Sequence, residues 1–315
     1  MPSSARDDGL SEVVGFVLLL AVIVVALSLY QVYGVPAVGR ENEIAHMNAV
    51  KDRFVDYKIA LDSLWINAIQ TNRSTVGVTL STSFDLGTIG GSTQGGGVLF
   101  PVLFPTPSGG TVTVNKYQDN LTITKSGVNV IASYTMGEIA YESVNNYWIR
   151  QRYIYQMGGI FLEQDSGTAI RLSPLLSVYN VSTGTEEDPE YRLRVKIAAI
   201  QIFGGQEAGG QGAARVDTRL RNGVTKVTAT TGEDITVTVD AHDEATAAAW
   251  RQALIDAAER EGVVWGTGDD ARPVRIVREG TRVSMICRPE GDMTAVDLDV
   301  TQASFTIALQ QTIMV

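Results

Sequence analysis

The sequence predicts a mainly β protein with α: an N-terminal transmembrane and stalk helix, then an antiparallel β-sandwich-like region with one C-terminal packing helix. Three observations carry this expectation. No charged residue falls between Val13 and Gly39, a run longer than the ~20 residues that cross a hydrocarbon core. Beyond residue 72 the chain breaks into short runs rich in Thr and Val, punctuated by Gly, Pro and Ser, as strands and tight turns require. One later stretch, 244–261, returns to helical spacing.

Composition points the same way. Charged residues are 19% of the chain and glycines number 31, a balance that favours sheet over helix bundle. The net charge of −10 repels phosphate backbones, so nucleic acid is not an expected partner. The single cysteine, Cys287, excludes an internal disulfide. It lies in an alternating run and reads as a small buried apolar residue.

Residues 1–9 are polar and unpatterned, and read as a leader or cytoplasmic tail. The apolar run is too long for an ordinary secretory signal and lacks a following A-x-A site, so a transmembrane helix over 10–39 is expected. At Gly9-Leu-Ser-Glu-Val-Val-Gly15 the chain resembles the N-terminus of archaeal type IV pilin-like proteins. The resemblance covers roughly the first 60 residues, about one helix of stalk length. It implies a class III signal cleaved by a prepilin peptidase, with Gly9 the last leader residue, Leu10 the first mature one and Glu12 the third. It also implies homo- or hetero-oligomers formed through the N-terminal helix.

Arg6 faces Arg40 and Lys51 across the span, so charge alone leaves orientation almost undecided. The short tail and the large acidic remainder suggest a single-pass protein in the cell membrane, with an extracellular C-terminal domain. Three sequons, at Asn72, Asn120 and Asn180, all follow the anchor and fit that side as glycosylation sites.

Pro36 is expected to interrupt or kink the helix just outside the bilayer. A stalk helix over 40–72 should follow. Met47, Val50, Phe54, Tyr57, Leu61, Leu64 and Ala68 recur on it in alternating three- and four-residue steps, a heptad seam. That seam can pack on the chain's own β-region or serve as an assembly surface toward neighbouring subunits.

Strands are expected at 75–83, 97–104, 111–117, 120–125 and 128–135 in a first β-rich domain, 73–183. The acidic turn Thr183–Pro189 would separate it from 190–315, a second domain or second half. There, strands are expected at 191–203, 234–240, 274–277, 282–288 and 295–312, with 204–212 a Gly-rich flexible loop. Asp243 is a candidate N-cap and Gly262 a stop for the helix 244–261.

Chemistry is sparse. Tyr147, Trp148, Tyr153 and Tyr155, set among Asn and Arg residues, form either a carbohydrate- or partner-binding surface or an ordinary sheet core. The two histidines, His46 and His242, lie apart, with no second His or Cys cluster to make a metal site. No H-E-x-x-H, G-x-S-x-G or C-x-x-C motif occurs. The carboxylate pairs Glu186/Glu187 and Asp269/Asp270 read as solvated turns. The sequence therefore points to a non-enzymatic surface protein with a structural, adhesive or assembly role and no cofactor. The alternative is a single-pass anchored binding module for carbohydrate or a partner protein.

Overall fold

The computed structural model describes residues 5–71, 76–88, 103–185, 189–267 and 272–311. The chain is mainly β with α. The expected strand at 97–104 lies largely outside the described residues, as do Asn72 and both carboxylate pairs.

The helix runs from Ala5 to Thr71 without a break: α1 (Ala5–Leu29), a π-helical turn (Tyr30–Gly34) and α2 (Val35–Thr71). Of the interruption or kink expected at Pro36, there is no interruption, and the local distortion is a π turn just before the proline. Proline has no N–H and its ring crowds the carbonyl four residues back. Here the turn just before it is widened, with the Val35 N–H reaching the Tyr30 carbonyl. Such bulges absorb a local mismatch in the i→i−4 ladder.

Among the described residues, the strands form three six-stranded sheets. The first carries β1 (Thr79–Asp85), β12 (Ala213–Leu220), β18 (Met293–Gln311), β10 (Pro189–Phe203) and β9 (Leu176–Gly184) in that order, with β13 (Thr225–Thr231) also on β18. The second runs β11 (Glu207–Gly210), β2 (Gly109–Val114), β5 (Glu138–Val144), β6 (Arg152–Gln156), β7 (Gly159–Gln164), β8 (Gly167–Leu172). The third runs β15 (Trp265–Gly266), β16 (Val274–Glu279), β17 (Arg282–Cys287), β14 (Ile235–Asp240), β3 (Asp119–Lys125), β4 (Asn129–Met136). Each sheet combines strands that end by Gly184 with strands that begin at Pro189 or later. Part of the expected flexible loop 204–212 is β11, which the ladder to β2 holds extended.

The first sheet separates two hydrophobic cores. In β10, Leu193, Val195, Ile197 and Ala199 enter one core, whereas Ala198, Ile200 and Ile202 enter the other. Its parallel partner β18 sends Val296, Leu298 and Val300 to the first, then Ala303, Phe305 and Ile307 to the second. Side chains alternate faces along a strand, so this change of parity puts the cores on opposite faces of one long sheet. Helix α3 (Glu244–Arg260) covers the first core with Trp250, Leu254 and Ala258. The Asp243 side chain caps it by accepting from the Thr246 N–H at 2.7 Å, and Gly262, at φ +68°, ends it. Helix α2 closes the second core.

The three sheets meet at Gly137, between β4 and β5. A side chain there would collide with the Ile202 carbonyl of β10. That same carbonyl accepts from Asn115 Nδ2 at 3.0 Å, while Asn115 Oδ1 accepts from the Glu138 N–H at 2.8 Å. Only glycine permits so close a backbone approach.

Candidate functional site

The helix has two halves of opposite character. From Val13 to Tyr33 its large apolar side chains are exposed, Leu18 at 62% and Tyr33 at 72%. From Val35 onward one stripe is buried: Val35, Gly39, Glu43, Met47, Val50, Phe54, Tyr57 and Leu61. The spacing of three and four keeps these on one face, so the helix lies against the sheets along that line.

The seam read from sequence is thus filled by the chain's own sheets, with Leu64 packed at its margin. Phe54 meets Phe84 edge-on, and Tyr57 meets Tyr155 edge-on. The Tyr57 and Thr218 hydroxyls are 2.8 Å apart inside the core. An assembly surface through Met47, Val50, Phe54, Tyr57 and Leu61 is not open in this chain, because each is at most 4% exposed.

The aromatic stretch is divided between two jobs. Tyr153 and Tyr155 are buried in the second core. Tyr147 and Trp148 are half-buried and hold the helix. The Tyr147 ring packs on Gly39, its hydroxyl accepts from the Thr106 N–H at 3.0 Å, and the Arg40 guanidinium lies 4.2 Å over Trp148. Glu43 completes this junction by accepting the Asn146 and Tyr147 N–H groups at 2.7 and 2.9 Å. Of the two readings offered by the sequence, Tyr153 and Tyr155 follow the sheet core, while Tyr147 and Trp148 make intramolecular contacts with the helix.

Glu12 lies on the exposed helix. Gly9 and Leu10 fall in α1, and nothing further is described of their side chains. Asn120 and Asn180 are exposed on β3 and β9, where a glycan would meet solvent. Cys287 is fully buried, and burial pushes its thiol up to about 12.

A buried polar network was not anticipated from sequence. Asp119 is 0% exposed and accepts from both the His242 N–H, at 2.7 Å, and Gln156 Nε2, at 3.0 Å. His242 Nδ1 also bonds it at 2.9 Å, and Trp250 Nε1 donates to Gln156 Oε1 at 3.0 Å. Beside it Arg152 bridges Glu138 and Glu163, and Tyr117 stacks on the His242 ring at 4.2 Å. Burial lowers the pKa of His242, but the bond to Asp119 and the charges of Asp119, Asp243 and Glu138 outweigh it and raise the group above 6.5. Burial keeps Glu138 above the ordinary glutamate range, against the pull of Arg152. The network ties α3 to the second and third sheets, since its members come from β3, β5, β6, β7 and the turn before α3. Its only trace in the sequence is that acidic and amide residues occupy inward strand positions, which alternation alone does not distinguish from outward ones.

Among the described residues, no three His, Cys, Asp or Glu side chains converge as metal ligands do. No family model, curated protein or solved structure matches this chain. Among the described residues, one helix is long and apolar enough to span a membrane, and its second half packs against the sheets. Whatever holds its first half holds the whole β-region.

Proposed function

We propose that the chain is a single-pass surface protein of the membrane, resembling archaeal type IV pilin-like subunits, with a structural, adhesive or assembly role and its β-region outside the cell. The carrying observation is the continuous helix, bare and apolar over 13–34 and embedded in the sheets from Val35. Removing that many large apolar side chains from water is worth on the order of tens of kcal/mol. The bare half therefore belongs in lipid or among other apolar helices. With the seam from Met47 to Leu61 occupied internally, oligomers would form through residues 13–34 and the outward helix positions Val38 and Ile59.

N-terminal sequencing of protein purified from its native membrane tests this reading. A start at Leu10 is expected from prepilin-type processing. A start at Met1, together with protein that never sediments with filaments or oligomers, would reduce the function to plain anchoring.

A further inference from the structure

A cleft of about 580 Å³ lies at the seam between the two cores, where the end of α2, the β8–β9 link and the last residue of α3 converge. Trp65, Ile66, Ile69, Leu172, Pro174 and Leu175 supply an apolar wall. Its size falls in the range of pockets that enclose a small organic ligand. Ile66 and Ile69 leave 36% and 40% of their surface in water.

The rim is cationic in a chain of net charge −10, with Lys58, Lys196, Lys226 and Arg260 against Asp299. Lys58 is neutralised by Asp62 at 2.6 Å and Lys226 by Asp299 at 3.3 Å. Lys196 rests 5.3 Å over the Tyr179 ring, and neither it nor Arg260 meets a carboxylate among the described residues.

We propose that this cleft binds a single-chain amphiphile, its apolar tail along Trp65, Ile66 and Leu175 and its carboxylate between Lys196 and Arg260. An added strand from a peptide is a poorer fit. The link's backbone is already bonded internally: Leu175 N–H to Met157, Leu176 N–H to Pro174, and the Leu175 carbonyl to Ala198. Nor is the occupant a resident bilayer lipid. Trp65 stands roughly 45 Å along the helix from Gly34, at ~1.5 Å per residue, so the ligand comes from the aqueous side. This assignment does not depend on whether the protein polymerises.

The test is photolabelling of the full chain, held in lipid nanodiscs, with a diazirine-bearing decanoate, mapped by peptide mass spectrometry. Label is expected on 65–69 and 172–177, displaced by plain decanoate and not by decyltrimethylammonium. Lys196→Gln with Arg260→Gln should reduce it about tenfold, the loss of a charge-assisted contact. Both side chains are exposed, so the fold should survive, and an unchanged melting curve would verify that. Ile66→Ser should weaken labelling through the tail. Label confined to the anchor helix, equal displacement by the cationic analogue, or undiminished labelling of the double variant would overturn the proposal. Displacement by an acidic peptide but not by decanoate would overturn it as well.

Discussion

The Tyr147 amide donates to the Glu43 carboxylate at 2.9 Å while the Tyr147 ring lies on Gly39, one helical turn below. A single residue of the β5–β6 turn thus grips the helix at two successive levels. Glu43 is 1% exposed and also holds the Asn146 amide.

Glu43→Ala should therefore cost about 2 kcal/mol or more, because it strands two backbone donors that bond a charged group. Chemical denaturation would measure the loss. Amide exchange should accelerate first in the helix around Gly39 and at the Asn146–Tyr147 turn. Unchanged exchange there would mean that the apolar stripe alone holds the helix.

Gly137→Ala should destabilise the protein by about 1–3 kcal/mol, the usual range for overpacking. The new methyl meets the Ile202 backbone, which cannot swing aside as a side chain would. Thermal unfolding of the variant beside Gly127→Ala, at an open turn of positive φ, would separate collision from backbone strain.

Thr218→Val should cost about 1–3 kcal/mol, since it leaves the buried Tyr57 hydroxyl without its partner. Adding Tyr57→Phe should recover part of that loss. A double-mutant cycle reads the coupling directly, and additivity of the two single changes would argue against the bond.

Stability should fall as pH rises above neutrality. The folded-state pKa of His242 is raised, so its contribution is fully present below 6.5 and disappears as pH climbs through the higher native value. Glu138, also raised, acts in the same direction from about 4.5 upward. His242→Gln should flatten the upper part of this slope, measured by urea denaturation at pH 6 and pH 8.5. The groups facing His242 are Asp119, Asp243 and Glu138, and a slope unaltered in the variant would place the titration elsewhere.

Cys287 should resist maleimide at pH 8 in the folded protein and react on unfolding, because burial holds the thiol protonated. Rapid labelling under native conditions would show that β17 opens locally.

Much of the architecture was legible in local pattern. The uncharged run 13–39 announces the exposed helix, the 3–4 seam announces its buried stripe, and Asp243 with Gly262 bounds α3, because caps and periodicity are written in neighbouring residues. The disruptive effect of Pro36 takes the form of a π turn five residues long, a form that no propensity signals. The Gly-rich segment 204–212 looked unstructured because its ladder partner, β2, lies about a hundred residues away.

By itself the sequence determined the membrane-length helix, the β-rich remainder and the burial of Cys287, all properties of residues close in the chain. Only the tertiary structure decided that the helical seam, Tyr153 and Tyr155 would be spent on one another, that Glu43 would hold Tyr147, and that Asp119 would hold His242. These pairings join residues roughly a hundred positions apart, across strands of three interleaved sheets. The energy of such contacts depends on where the sheets bring the chain together, and no local window contains that information.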